Sequence, residues 1–170
     1  MSRETFNFDP MHTTILWQCN HFGFSNPKGL FSMVEGVLNL DETNPERSDL
    51  NVIIDIATLS TGIEMFNEHL WSKDFFNLES YPTATFVSQK IATTGVNQYK
   101  VTGLLTLIGV QRQVVIDALI NKIGEHPMSK RKTIGISANL VINRADYGMT
   151  AYIPMVGENV QLNIEAEAQS

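Results

Sequence analysis

Residues 134–142 read IGISANLVI, and apolar side chains occupy every second position from Ile134 to Ile142. Residues 160–168, VQLNIEAEA, show the same alternation from Val160 to Ala168. Alternation with a period of two places one face of a β-strand in a core and the other face in water. Both segments are therefore predicted to be half-buried strands of a sheet.

The rest of the chain supplies further strand candidates, separated by turn-like pieces such as SNPKG and DETNPERSD. These candidates are Thr13–Cys19, Leu30–Leu40, Leu50–Ile56, Thr83–Ile91, Asn97–Ile108 and Gln113–Ile120. With the first two segments they make about eight strands. Eight antiparallel strands around one interior suit a closed barrel or a sandwich, because closure removes exposed sheet edges. We predict an all-β protein.

One stretch interrupts the strands with a different spacing. Phe66, His69, Leu70 and Lys73 lie three or four residues apart, which places them on one face of a helix. A single short helix is therefore predicted near Gly62–Lys73, between the third and fourth candidate strands. The stretch is also unusually rich in aromatic rings for a connection between strands.

Composition restricts the class of protein. A length of 170 residues is typical of one domain, which we expect to span residues 1–170. A net charge of −6 argues against a nucleic-acid partner, because phosphate backbones are bound by concentrated Lys and Arg. No apolar run approaches the roughly 18 residues of a membrane helix, so no stable membrane insertion is expected.

The cellular compartment of the protein is open to two interpretations. Cys19 is the single cysteine, which excludes an internal disulfide, and it is expected to pack as a small hydrophobe. The first residues, MSRETFNFDP, lack the pattern of a secretory signal. The protein is expected to be periplasmic or secreted if a signal peptide has been removed from this sequence, with a cytoplasmic location as the alternative.

Searches for catalytic and metal motifs identify no candidate residues. No nucleophile elbow, P-loop or dinucleotide fingerprint occurs, and the four histidines are scattered without ligand spacing. We therefore predict no catalytic residues, no cofactor and no bound metal. His12 and His21 are expected to fix turns at strand ends.

Two charged clusters are given structural interpretations. The basic run SKRK, Ser129–Lys132, is predicted to be a solvated hairpin turn. In NRADYG, residues 143–148, Arg144 is predicted to form an ion pair with a carboxylate and so close a corner. Gly148 is expected to take a positive φ there.

Taken together, several motifs resemble those of the YceI-like family, whose members are polyisoprenoid-binding proteins with a lipocalin-like barrel. The matching pieces are FDPMHTTILW, HFGFSNPKGLF, LSTG, HLWSKDFFNLESYPTATF, VTGLLTLIGVQRQV and NRADYGM followed by VGENVQL. They occur in the family's order and approximate spacing, from Phe8 to about Ala168. The resemblance implies an eight-stranded antiparallel lipocalin-like barrel that holds a long isoprenoid tail and catalyses no reaction.

The resemblance also implies a binding site inside the barrel. The residues expected to line or cap the lumen are Phe22, Phe24, Phe31, Phe66, Leu70, Phe75, Phe76 and Phe86. Members of the family usually carry an Arg-Asp pair before the His-Leu dipeptide and a polar or basic residue after it. Phe66, Asn67 and Trp71 stand at those places here, which leaves the identity of the lipid open.

Three functions are compatible with these patterns. The first is a carrier or store whose partner is a long-chain isoprenoid lipid, acting alone or as a homodimer. The second is an enzyme that acts on a lipid in the same cavity, which would require polar groups to converge there. The third is a stress-response interaction module, for which an exposed apolar patch would be the sign.

Overall fold

A computed structural model describes residues 3–32 and 34–170 and has ten β-strands, one α-helix and four short 3-10 helices in those ranges. The strands are β1 Glu4–Phe8, β2 Thr14–Gln18, β3 Lys28–Phe31, β4 Val34–Leu40, β5 Asp49–Asp55, β6 Thr83–Gly95, β7 Gln98–Leu107, β8 Val110–Glu125, β9 Lys132–Asn143 and β10 Asn159–Gln169. The helix is α1 Glu64–Trp71, and the 3-10 helices are Pro10–His12, Pro45–Arg47, Ile56–Thr58 and Arg144–Tyr147.

The strands form one closed antiparallel sheet. Strands β4 to β10 pair in chain order, and β1 pairs with β4 on one side and with β10 on the other. Strand β2 pairs with the first half of β10, where Ile15 faces Ile164, whereas β1 pairs with the end of β10. Strand β3 pairs with β2. Thus β1 and β2 together occupy one position in the ring, as do β3 and β4. The prediction of an eight-stranded antiparallel barrel with one short helix is confirmed.

Two strand predictions differ from the structure. Strand β1 was not predicted, because it is five residues long and ends just before the turn signal Asp9-Pro10. The single strand predicted at Leu30–Leu40 corresponds to β3 and β4, which pair with different neighbours, and Met33 lies outside the described residues. A local pattern indicates that a segment is extended, but the strand it pairs with is fixed by tertiary structure.

The predicted helix is present between β5 and β6, but it is shorter than Gly62–Lys73. Gly62 has a φ of 81°, a left-handed conformation that a right-handed helix cannot include. Within α1, Asn67 Oδ1 accepts hydrogen bonds from Thr61 N at 2.8 Å and Thr61 Oγ1 at 2.7 Å, which ties the helix to the segment before it. None of the helices in the described ranges has the length and apolar content needed to cross a membrane.

Glycines on the inner face allow aromatic rings to lie flat against the barrel wall. A Cβ at Gly29 would lie 2.2 Å from the Trp17 ring, and a Cβ at Gly103 would lie 2.5 Å from Phe86 Cζ. Real Cβ atoms do not approach this closely, so both rings occupy space that a side chain would need. The glycines therefore let large rings line the barrel without filling its centre.

Candidate functional site

The barrel encloses a cavity of about 860 Å³, near the upper end of the roughly 300–1,000 Å³ typical of small-molecule sites. Inward-facing side chains from every position in the ring line it, and nearly all of them are hydrocarbon. On β9 and β10 the lining residues include Leu140, Ile142, Val160, Leu162 and Ile164. The alternation that predicts these strands therefore also produces the wall of the cavity.

Inward-facing side chains in the middle of the barrel show that this interior is not a filled core. Val52, Ile116, Ala118 and Leu162 point inward and line the cavity, yet each retains accessible surface. In a close-packed interior such side chains would be fully buried by their neighbours. The accessible surface faces the cavity, which leaves room for a ligand along the barrel axis.

One end of the cavity is closed. A separate cluster of buried side chains packs across the barrel there, and it consists of Phe6, Leu38, Leu40, Ile134 and Ala168. Phe6, Ile134 and Ala168 have no accessible surface. We call this end, with its five residues, the closed end.

The opposite end of the cavity is open to solvent. Phe22, Ile63 and Tyr152 line the cavity there and are also 49%, 61% and 53% exposed. They belong to the turn after β2, the segment before α1 and the segment before β10. We call this opening, defined by these three side chains, the mouth.

The Arg144 side chain lines the cavity near the mouth and is buried, with 3% exposure. Its Nε donates to Gly157 O at 2.8 Å and its Nη1 to Met149 O at 2.8 Å. Its Nη2 donates to Ala151 O at 2.9 Å and to Val156 O at 3.0 Å. Four backbone carbonyls therefore hold one guanidinium and organise the segment before β10.

This arrangement corrects the prediction of an ion pair in NRADYG. Among the described residues, the hydrogen-bond acceptors of Arg144 are carbonyl oxygens, and no carboxylate lies within ion-pair distance of it. The chain folds back over residues 149–157, which brings carbonyls closer to the guanidinium than any acidic side chain. Burial lowers the pKa of Arg144. Gly148 has a φ of 80°, as predicted.

Cys19 lies beside Arg144 and also lines the cavity. Its Sγ donates to Gly157 O at 3.0 Å, the same oxygen that accepts from Arg144 Nε. Burial raises the pKa of the Cys19 thiol, although the Arg144 charge opposes this shift. The thiol is therefore neutral at ordinary pH and does not have the properties of an activated nucleophile.

Aromatic rings connect the polar groups near the mouth. Arg144 Cζ lies 5.7 Å from the centre of the Phe75 ring, a cation–π distance. Phe75 contacts His69 edge-on at 5.1 Å and stacks on Tyr152 at 6.1 Å. The mouth therefore combines aromatic surface with a buried cation, whereas the wall beyond it is aliphatic and aromatic hydrocarbon.

The structure places seven of the eight predicted lumen residues on the cavity wall. They are Phe22, Phe31, Phe66, Leu70, Phe75, Phe76 and Phe86. Phe24 does not line the cavity and is 90% exposed on the turn between β2 and β3. Sequence reasoning missed Trp17, Cys19 and Arg144, although the alternation through β2 indicated that Trp17 and Cys19 face inward.

The family departures at Phe66, Asn67 and Trp71 have structural roles. Phe66 lines the cavity and contacts the Trp17 ring edge-on at 6.4 Å. Asn67 holds Thr61, and Trp71 Nε1 donates to Ile56 O at 3.2 Å. Asn67 and Trp71 thus anchor α1 to its surroundings, and Phe66 adds apolar surface to the wall of the cavity.

The scattered histidines and the basic run have local contacts. His12 Nδ1 lies 2.8 Å from Asp9 Oδ2, which confirms that this imidazole fixes a turn. His21 forms a bridge to Ser25 and lines the cavity near the mouth. Ser129–Arg131 of the run SKRK lie in the connection between β8 and β9, as predicted, but Lys132 begins β9 and its Nζ donates to Glu4 Oε1 at 2.9 Å. In the part of the chain that the structure describes, no three His, Cys, Asp or Glu side chains form a metal-binding group.

Comparison with known proteins agrees with the barrel. The YceI-like domain family matches residues 6–168. A UPF0312 protein of Photorhabdus laumondii is 35% identical over 156 residues, which cover 92% of this chain and 80% of that protein. A UPF0312 protein of Pectobacterium atrosepticum is 31% identical over 162 residues, covering 95% and 83%.

Solved structures extend the comparison. The YceI protein of Campylobacter jejuni is similar with a TM-score of 0.80 and 32% identity, covering 89% of each chain. BcnA of Burkholderia cenocepacia has a TM-score of 0.85 at 24% identity, covering 94% of this chain and 98% of that one. A Saccharophagus degradans domain described as polyisoprenoid-binding has a TM-score of 0.75 at 16% identity, covering 97% and 98%, and shares the fold. The barrel, its order of strands and the match over residues 6–168 place this chain in the YceI-like family.

Proposed function

We propose that this protein binds a polyisoprenoid or a similar long-chain lipid in the lumen of its barrel and acts as a carrier or store. The observation that carries the proposal is the apolar cavity of about 860 Å³, open at the mouth and closed at the other end. Burial of hydrocarbon in such a cavity is favourable in proportion to the apolar area removed from water.

The shape of the cavity favours an elongated chain. Its lining on β10 extends from Val160 to Ala166, roughly 20 Å along the strand at about 3.3 Å per residue. The wall between these positions offers few polar partners, so a ligand of many polar groups would lose hydrogen bonds on entry. A narrow apolar chain has no hydrogen bonds to water and therefore loses none when it enters the cavity.

The polar groups near the mouth favour one orientation for the lipid. Arg144, Cys19, His21 and His69 all reach the mouth end of the cavity. At the other end, Thr13 Oγ1 donates to Glu167 O at 3.4 Å and Ser48 Oγ accepts from Asp41 N at 2.9 Å. We therefore place the headgroup at the mouth and the tail toward the closed end.

Binding without catalysis is the interpretation that the polar groups support. An enzyme acting on the lipid would need an activated nucleophile or a general base in the lumen. The Cys19 thiol has a raised pKa and is hydrogen-bonded to a backbone carbonyl. Arg144 is occupied by four carbonyls, so its role is to hold the mouth in shape. The description of the Saccharophagus degradans domain as polyisoprenoid-binding supports the same proposal through shared shape.

A pair of substitutions on one strand tests the proposal. Ala138 of β9 lines the cavity in the middle of the barrel, whereas Val141 of the same strand is 63% exposed on the outside. Ala138→Phe places a ring in the lumen and is expected to abolish binding of a fluorescent polyprenyl probe while the protein stays folded. Val141→Phe adds a ring outside and is expected to bind the probe as the natural sequence does. Equal binding by both variants would place the ligand elsewhere.

A further inference from the structure

Six exposed apolar side chains surround the mouth, and together we call them the rim. They are Phe22, Phe24, Ile63, Met65, Tyr152 and Met155, with exposures of 49%, 90%, 61%, 82%, 53% and 56%. Such large side chains are exposed singly on most proteins, but a contiguous group marks an interaction surface.

Backbone contacts bring the rim segments together. Phe22 N donates to Met155 O at 2.8 Å, and His21 bridges to Val156. Leu30 pairs with Ser60, which holds the segment before α1 against β3. The His69 ring of α1 also contacts the Tyr152 ring edge-on at 5.7 Å, so the rim is one surface built from three separate parts of the chain.

The rim continues into the lumen. Phe22, Ile63 and Tyr152 belong to the rim and also line the cavity. A hydrocarbon chain that leaves the lumen therefore meets apolar side chains before it meets water. A surface of this kind suits a partner that supplies the hydrocarbon chain to the lumen or accepts it from the lumen.

Charge distinguishes the rim from the rest of the protein. None of residues 19–27, 56–63 and 147–157 is Asp, Glu, Lys or Arg, although 18% of the whole chain is charged. Of the charged residues next to these segments, Glu64 is exposed and lies between the rim residues Ile63 and Met65, so the rim includes one negative charge. An apolar surface with a single charged residue matches the hydrocarbon boundary of a bilayer, whereas a protein–protein surface of this size usually has a polar and charged periphery.

We propose that the rim docks on a lipid bilayer, with Phe24 and Met65 entering the region between the headgroups and the acyl chains. Aromatic rings and long apolar side chains are favoured at that depth. The proposal rests on the proposed function, because docking places the mouth where a long-chain lipid can pass between bilayer and lumen. Five of the six units of net negative charge lie outside the rim and the rim segments contain no Lys or Arg, so the proposed docking does not depend on attraction to anionic lipids.

Flotation with neutral phosphatidylcholine vesicles tests the proposal on the delipidated chain of 170 residues. The natural sequence is expected to float with the vesicles, and its binding is expected to be insensitive to added salt. Phe24→Ser with Met65→Ser should weaken vesicle binding by roughly tenfold or more, because two exposed apolar side chains are lost. The matched control is Met11→Ser with Met128→Ser, which removes two methionines that are 84% and 87% exposed at the other end of the barrel.

The outcomes separate docking from lipid binding. Uptake of a soluble short-chain polyprenyl probe should be equal in the rim variant and the control variant, since neither changes the lumen. Probe uptake without vesicle binding would overturn the docking proposal and leave the proposed function intact. Vesicle binding without probe uptake would support docking and contradict the proposed function. A dimer that dissociates when the rim is changed would show that a second copy covers the rim, and would overturn bilayer docking.

Discussion

Cys19 and Arg144 donate to the same acceptor: Gly157 O lies 3.0 Å from the Cys19 Sγ and 2.8 Å from the Arg144 Nε. The shared oxygen joins the end of β2 to the segment that precedes β10. Since Arg144 also donates to Met149, Ala151 and Val156, one side chain fixes both the mouth and part of the rim.

The first prediction concerns Arg144 as a structural clamp. Arg144→Met is expected to lower the free energy of unfolding by at least about 3 kcal/mol, because four carbonyls lose their donor. Arg144→Lys should recover little of this loss, since an ammonium cannot reproduce the planar fork of a guanidinium. Urea denaturation measures both variants.

The matched control for this prediction is Arg112→Met. Arg112 is exposed, and among the described residues its Nη1 donates to Gln111 O alone, at 3.0 Å. Its replacement is expected to change the free energy of unfolding by less than about 0.5 kcal/mol. If the Arg144→Lys variant had the same free energy of unfolding as the natural sequence, the positive charge alone would be enough to hold the mouth.

The second prediction concerns the glycines of the inner wall. A Cβ at Gly103 would meet Phe86 Cζ and Val87 O, each at 2.5 Å. Phe86 can swing into the cavity but the Val87 carbonyl is backbone, so Gly103→Ala is expected to destabilise the protein by about 1–3 kcal/mol. Thermal or urea denaturation measures the change.

Gly135→Ala serves as the control within the same sheet. Nothing lies within 4 Å of a Cβ at Gly135, and alanine restricts the unfolded chain more than glycine does. This variant is expected to be as stable as the natural sequence or slightly more stable. Equal losses in the two glycine variants would mean that the general cost of replacing glycine, and not the wall contact, explains the first result.

The third prediction concerns acid stability. The buried Asp41 carboxylate accepts hydrogen bonds from Asn44 N at 2.9 Å and from Thr43 N and Oγ1 at 3.1 and 2.8 Å. The bond from Asn44 N, followed by the bond from Thr43 Oγ1, lowers the pKa of Asp41. Its contribution to stability is therefore present above the ordinary carboxyl pKa of about 3.9 and is lost as the pH falls through the lowered value.

Asp41→Asn tests this contribution. The variant should be less stable than the natural sequence at neutral pH, and the difference should shrink as the pH falls below about 4. Urea denaturation over a series of pH values measures the two curves. Parallel curves would show that the carboxylate charge of Asp41 has no part in acid stability.

Alternation was enough to predict β9 and β10, whereas β5 and β7 have adjacent apolar residues, such as Val52–Ile54, and were predicted as apolar segments between turn signals. The five residues of β1 were too few, although Phe6 and Phe8 alternate there and face inward. Pairing partners, such as β1 with β10 at Phe8 and Ala168, depend on closure of the ring and cannot be read from one segment.

The site was only partly predictable for a different reason. The same alternation produces a filled core or an empty lumen, since cavity volume depends on the number and tilt of the strands. The exposed surface that Val52 and Leu162 keep inside the barrel distinguishes the two, and it appears only in three dimensions. Similarly, Arg144 and Asp146 are neighbours in sequence, yet the guanidinium is held by carbonyls from residues 149–157.

Organic extraction of natively purified protein, followed by mass spectrometry, shows whether the lumen holds a long-chain lipid. We predict close to one long-chain isoprenoid or similar lipid per chain for the natural sequence and for Val141→Phe, and none for Ala138→Phe. An extract of the natural protein without long-chain lipid, or the same lipid at the same amount from Ala138→Phe, would show that the lumen is not the lipid site.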